Sequence, residues 1–169
     1  SLYPSLTVVW GGYFPSTHPT SVLNSGYVDF IVNGPGDNTF PELIDALKNN
    51  SPLDQIKNLI YKKEGQLFKT AKEELLDLDS LPVLPYEKLN SVYQIQKYLG
   101  KTYLGEKTIA YHSSFGCPFT CSFCAVVPIY NARWKGKSAE GIYKDIKYLK
   151  NTFGGDAIEL KANSRKDVP

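Results

Sequence analysis

Cys117-Pro118-Phe119-Thr120-Cys121-Ser122-Phe123-Cys124 holds every cysteine of the 169-residue chain. The spacing is C-x3-C-x2-C. Thiolates are soft ligands that select iron–sulfur clusters, zinc or Cu(I). An extended chain spans at most about 3.3–3.6 Å per residue, so gaps this short let one loop wrap a compact object and touch several of its corners. A four-iron cluster takes four cysteines. Three leave one iron without a protein ligand, and an open metal position is what catalytic sites keep and structural sites close. Two other readings stand beside this one. His112, five residues before Cys117, would complete a Cys3His zinc site, although gaps of five, three and two are not a usual knuckle spacing. A disulfide would use two of the cysteines and strand the third.

The flanking sequence sets the loop in an α/β unit. Lys107-Thr108-Ile109-Ala110-Tyr111-His112-Ser113 is rich in strand formers. Ser114-Phe115-Gly116 leads from it into the cysteines. Beyond the loop, Ser138 is placed to cap a helix whose Ile142, Ile146, Leu149 and Phe153 recur at helical spacing, and Gly154-Gly155 ends it. Ala157-Ile158-Glu159-Leu160 reads as the next strand. The cysteines therefore follow the first strand of a β-α-β unit, at the end where parallel strands present ligand sites.

The first fifty residues alternate in the same way. Leu6-Thr7-Val8-Val9-Trp10 reads as a strand ended by Gly11-Gly12, Pro19 to Ser25 as a short helix, and Val28-Asp29-Phe30-Ile31-Val32 as a second strand ended by Asn33-Gly34-Pro35-Gly36. Thr39 and Glu42 have capping-box spacing. Phe40, Leu43, Ile44 and Leu47 make the apolar stripe of the helix behind them. The glycines are either turn residues or places where a ligand meets bare backbone. Gln55–Tyr61 and Gln66–Thr70 form a hairpin across Lys63-Glu64-Gly65. The proline-punctuated run Leu78 to Tyr86 reads as a linker, and the tyrosine-rich stretch 91–105 takes no clear assignment.

Composition excludes more than it identifies. The net charge is +2, which gives no reason to expect a nucleic-acid partner, and no apolar run is long enough to span a membrane. Methionine is absent, including at position 1, so the chain reads as a fragment or a processed product. The lysine-rich runs read as solvated faces, and His18 as a histidine on a surface loop. Arg133 reads either as a surface salt bridge or as a contact to cofactor or substrate.

The cysteine motif resembles that of the radical S-adenosylmethionine (radical SAM) superfamily, C-x3-C-x-φ-C with φ aromatic; Phe123 fills φ. The resemblance implies that Cys117, Cys121 and Cys124 hold a [4Fe-4S] cluster whose fourth iron binds SAM. It implies reductive cleavage of SAM to methionine and a 5′-deoxyadenosyl radical, with the backbone near Phe123 supporting the adenine. The stretch Arg133 to Leu160 is similar to the family's first barrel helix and second strand.

The segments Val8 to Gly12 and Val28 to Leu43 resemble the last part of the cobalamin-binding domain that precedes the barrel in cobalamin-dependent members. Gly11, Gly12, Gly34 and Gly36 would line the pocket for the nucleotide tail of the corrin. The family's second segment reads G-E-G-E, and Gly34-Pro35-Gly36-Asp37 departs from it at the first acidic position. The "LP…P" linker occurs in the same family. The implied organisation is α/β: the end of a Rossmann-like cobalamin-binding domain in residues 1–50, a hairpin and linker in 51–105, and the first β-α-β part of a radical SAM partial barrel in 106–169.

The tail departs again, with Ala162-Asn163-Ser164-Arg165 where the family shows an acidic pair followed by Asn and Phe. A full barrel has roughly six β-α units within a fold of about 200 residues or more, so this chain alone is expected to be catalytically weak or inactive. The implied parent reaction is cobalamin-dependent methyl transfer, or radical rearrangement or cyclisation, on a small-molecule or peptide substrate. The electron would come from a flavodoxin- or ferredoxin-like reductant, and the setting would be the cytoplasm at low oxygen. The rival readings are a radical SAM enzyme whose relic domain binds no cobalamin, and a non-catalytic iron–sulfur or zinc module.

Overall fold

Short β-rich runs ended by glycine become the first parallel pair. In a computed structural model, which describes residues 5–82 and 85–161, β1 (Val9–Gly11) and β2 (Phe30–Val32) lie parallel, with Val9 opposite Phe30 and Gly11 opposite Val32. Both are shorter than the sequence suggests. Leu6 and Thr7 stay outside the ladder, Val8 joins it only through its carbonyl, which accepts from Phe30 N–H at 3.2 Å, and Leu6 is 65% exposed. The crossover between the strands contains the expected helix, α2 (Pro19–Asn24), with proline in its first turn, where a missing N–H costs nothing. It also contains α1 (Tyr13–Thr17), which the sequence did not signal.

The predicted hairpin forms as β3 (Leu59–Lys63) and β4 (Gln66–Lys69). Its turn residues Glu64 and Gly65 both have positive φ, 52° and 78°, as a two-residue type I′ turn requires. The first hairpin strand pairs antiparallel with β2, Phe30 facing Tyr61, so the hairpin completes a mixed sheet in the order β1-β2-β3-β4.

Period-2 alternation splits the core of this sheet between its two faces. Leu59 and Tyr61 point to one face, where they pack with Leu43 and Ala46 of α3 (Thr39–Asn49). Ile60 and Ile31 point to the other, against Val22 and Leu23 of α2. Leu43, Ile31 and Leu59 have no exposed surface. The capping box is not made. Thr39 lies inside the first turn of α3, is buried, and donates its hydroxyl to the carbonyl of Lys57 at 3.1 Å; Asn38 occupies the N-cap position without a side-chain cap. The Thr39 hydroxyl is engaged by a tertiary acceptor instead of accepting from a backbone N–H of its own helix.

The chain divides into two compact units, Ser1–Glu74 with Phe119–Ala132, and Leu75–Pro118 with Arg133–Pro169. The second unit is built on β5 (Thr108–His112) and β8 (Ala157–Lys161), parallel in five-residue register from Thr108–Ala157 to His112–Lys161. The helix joining them is α6 (Ala139–Phe153). Ser138 caps it by accepting the Gly141 N–H at 3.0 Å, and Gly154 ends it in the left-handed region at φ 72°. Leu149 and Phe153 of the predicted stripe pack on Ile109 and Tyr111.

Between β5 and α6 the chain makes an excursion with its own short ribbon, β6 (Ser114–Gly116) antiparallel to β7 (Trp134–Gly136). The unassigned tyrosine-rich stretch overlaps α4 (Tyr86–Val92) and contains a 3-10 turn (Ile95–Tyr98). The linker residues Val83 and Leu84, and the divergent tail Ala162 to Arg165, lie outside the described residues.

Candidate functional site

The cysteines sit on an excursion closed at its base. The β6–β7 ladder pairs Ser114 with Gly136, Phe115 with Lys135 and Gly116 with Trp134. One more backbone bond extends it at each end. Lys137 N–H donates to Ser113 O at 2.9 Å, and Cys117 N–H donates to Arg133 O at 3.0 Å. Residues 118–132 are thus a loop whose two ends are hydrogen-bonded to each other. Within it, Cys124 N–H donates to Cys121 O and Val127 N–H to Cys124 O, each at 3.2 Å. These turns lead into α5 (Val126–Tyr130), which closes with Asn131 and Ala132 both at φ 53°.

Cys121 is exposed, Cys117 and Cys124 are half-buried, and no disulfide joins any of them. Phe123 is 91% exposed. Among the described residues, no three His, Cys, Asp or Glu side chains are gathered as a metal site, and His112 is an exposed residue opposite Lys161 at the end of β5. The donor set still suits a thiolate-held cluster. Three thiols not consumed by disulfides lie on one short loop whose ends are fixed by backbone bonds, and soft sulfur donors are what such clusters require.

The four glycines are brought together. A cavity of about 280 Å³ is lined by Gly11, Gly12, Gly34 and Gly36 with Val9, Val32 and Phe40. It lies beyond the C-terminal ends of β1 and β2, where open α/β sheets take ligands. Gly12 and Gly34 have φ of 95° and 114°, a region other residues rarely enter. A Cβ on Gly36 would press on Val32 Cγ1 at 3.2 Å. Phe40, expected in the helix stripe, is instead 48% exposed at this cavity. The four glycines therefore leave bare backbone along one wall of this cavity. His18 is exposed and stacks on Phe14 with ring centroids 4.9 Å apart.

Several polar contacts around these sites were not legible in the sequence. Lys72 Nζ donates to the carbonyls of Pro128 at 3.0 Å and Ile129 at 3.3 Å and to Asn131 Oδ1 at 3.4 Å, a cation at the carbonyl end of α5. Ile129 in turn lies beside Gly34; a Cβ on that glycine would stand 3.8 Å from Ile129 Cγ2. In the second unit, Asp79 of the linker accepts from Ser138 N–H at 2.9 Å and Ser138 Oγ at 3.0 Å. The backbone bond from Ser138 holds the Asp79 carboxyl below its ordinary range. Asp145 accepts both Tyr111 Oη–H and Lys137 Nζ, each at 2.6 Å. Burial, then the Asp145 hydrogen bond, pushes the Tyr111 phenol well above the ordinary tyrosine value. Only the spacing of Ser138 from the apolar stripe hinted at any of this.

No family model matches the chain. It is 29% identical over 159 residues to the anaerobic magnesium-protoporphyrin IX monomethyl ester cyclase of Synechocystis, covering 93% of this chain and 30% of that one. Its fold matches the cobalamin-dependent S-adenosylmethionine radical enzyme OxsB, solved with aqua-cobalamin and S-adenosylmethionine, at TM-score 0.67 and 19% identity over 90% of this chain and 20% of OxsB. It also matches the radical S-adenosylmethionine methyltransferase TsrM from Kitasatospora setae, solved with cobalamin and a [4Fe-4S] cluster, at TM-score 0.62 and 18% identity over 93% of this chain and 30% of TsrM. The chain spans under a third of the length of these relatives. Among the described residues, no helix is long and apolar enough to cross a membrane.

Proposed function

We propose that this chain, a member of the family of radical SAM enzymes that carry a cobalamin-binding domain, contributes the cluster-binding loop and part of the cobalamin cradle to a radical SAM methyltransferase or cyclase. The observation that carries this reading is the closed loop bearing Cys117, Cys121 and Cys124 between two parallel strands. When bound, a [4Fe-4S] cluster supplies the electron that splits S-adenosylmethionine, and cobalamin supplies a methyl carrier.

The chain's own part is to hold and to orient. Three thiolates would grip three irons and leave the fourth to the amino and carboxylate groups of SAM. The exposed backbone around Phe123 would support the adenine. Gly11, Gly12, Gly34 and Gly36 would let the nucleotide tail of cobalamin approach the backbone. The substrate, a small molecule or a peptide, and a flavodoxin- or ferredoxin-like reductant complete the proposal. Thiolates that hold a cluster are sensitive to oxidation, which supports a reducing, low-oxygen setting such as the cytoplasm as part of this proposal.

Anaerobic reconstitution of the full chain with iron and sulfide tests the reading. We expect about four irons per chain, loss of that loading in each of C117S, C121S and C124S, and a change in the spectrum of the reduced cluster on adding SAM. Zinc in place of iron, or a cluster indifferent to SAM, would overturn it. Cobalamin retained through gel filtration supports the cradle. Its loss from a chain that still loads iron favours a relic domain.

A further inference from the structure

We propose that Asp145, through Lys137 and Tyr111, is a positioning residue that sets the location of Cys117; this rests on the reading of Cys117 as a cluster ligand. Three structural links connect the two residues. The β6–β7 ribbon runs from the Ser113–Lys137 bond at one end to the Cys117–Arg133 bond at the other, with three paired residues between. A two-stranded ribbon is marginal on its own, so it needs an anchor.

The anchor lies at the Lys137 end. Lys137 Nζ and Asp145 Oδ2 meet at 2.6 Å with only 18% and 20% of their side chains exposed. Tyr111, 8% exposed on β5, adds its hydroxyl to the same oxygen at 2.6 Å. One carboxylate oxygen therefore ties together the ribbon, strand β5 and the crossover helix α6.

The surroundings are shaped for that contact. Gly141 lies beneath it; a Cβ there would stand 2.8 Å from Lys137 Cε and 2.1 Å from Asp79 Oδ1. Asp79 fixes the residue following Lys137 through Ser138 N–H and Oγ. Lys137 is thus held by its side chain and, through its neighbour, by its backbone. A paired, mostly buried charge specifies one geometry because any other leaves a charge uncompensated. That geometry passes along the ladder to the Cys117 amide.

The test uses the full chain as wild type, D145N, K137R and K137M, with F153L as a control. Phe153, 2% exposed at the other end of α6 from the ribbon, shares the core cluster of Tyr111, so F153L loosens the same packing while leaving the Asp145 charge and its hydrogen bonds in place. Amide hydrogen exchange is read first on iron-free protein, after urea midpoints confirm that D145N and F153L are comparably destabilised. We expect D145N to speed exchange at 114–117 and 133–137 about tenfold, as loss of a charged hydrogen bond implies, while F153L leaves those amides within about twofold of wild type.

Anaerobic iron loss to a chelator is read second. D145N should lose iron roughly five- to tenfold faster than F153L, and K137R, which keeps the cation, should stay near wild type while K137M follows D145N. Equal exchange in D145N and wild type, or equal iron loss in D145N and F153L, overturns the proposal. If wild type itself holds no iron, the function proposed above has failed, and the exchange comparison stands apart from it.

Discussion

Two alanine substitutions separate the backbone role of the glycines from their role as a cradle. Gly12 has φ 95° and nothing within 4 Å of a built Cβ. Its ψ of −166° completes a conformation essentially reserved for glycine, so its alanine variant suffers a backbone penalty of roughly 1–3 kcal/mol. Gly36 has no such φ; its Cβ meets only Val32 Cγ1 at 3.2 Å, and Val32 is 5% exposed. A shift of a few tenths of an ångström there costs at most about 1 kcal/mol, offset by the roughly 0.4–1 kcal/mol that alanine gains by restricting the unfolded chain. G12A should therefore lower the urea midpoint of the first unit by roughly 0.5–1 M, and G36A should leave it nearly unchanged.

Ligand binding should not follow the same order. On the proposed role of this cavity, G36A adds a methyl to its glycine wall and should weaken cobalamin binding about tenfold, or 1.4 kcal/mol. The chain has two tryptophans, so in a W134F background the fluorescence of Trp10, on β1 beside the cavity, reports the first unit alone. Cobalamin binding is read by equilibrium dialysis. A wild-type urea midpoint for G12A refutes the strain argument. Undiminished cobalamin binding by a stably folded G36A refutes the cradle.

Leu43, with no exposed surface on α3, should cost about 2–5 kcal/mol as L43A, read in the same Trp10 titration. G141A should lower stability, although alanine exceeds glycine in helix propensity by about 1 kcal/mol, because its Cβ would collide with Asp79 Oδ1 at 2.1 Å; a raised urea midpoint would contradict the packing. The raised Tyr111 pKa favours the protonated phenol in the folded state. Its contribution is therefore full below the ordinary tyrosine value near 10 and fades as pH rises above it. Urea midpoints between about pH 8 and 11 should fall more steeply for wild type than for Y111F.

The fold was legible where local chemistry agrees with tertiary need. Ser138 caps α6 and Gly154 ends it because both signals act within one turn, and the Glu64-Gly65 turn announces its hairpin. Thr39 shows the limit. Its spacing to Glu42 fits a capping box, yet its hydroxyl donates to Lys57, eighteen residues away. Strand ends were overread because apolar residues such as Leu6 extend a pattern without joining a ladder. The glycines around the cavity share one neighbourhood because Gly11 ends β1, Gly12 follows it, and Gly34 and Gly36 follow β2.

The cysteine loop shows why ligand identity is easier to read than ligand placement. Thiol spacing is a property of eight consecutive residues, whereas the contacts that fix the loop join Asp79 to Ser138, Tyr111 to Asp145 and Lys72 to Pro128, separated by 59, 34 and 56 positions. No periodicity encodes such pairs. The division of labour has a consequence at Cys117. Its backbone N–H closes the base of the loop by donating to Arg133 O, and serine keeps that donor. C117S should therefore fold like wild type, with a stability change within about 0.5 kcal/mol, while losing iron loading. If C117S unfolds or loses amide protection along 114–117 in the iron-free chain, the thiol serves the fold, and its assignment to the metal loses its structural basis.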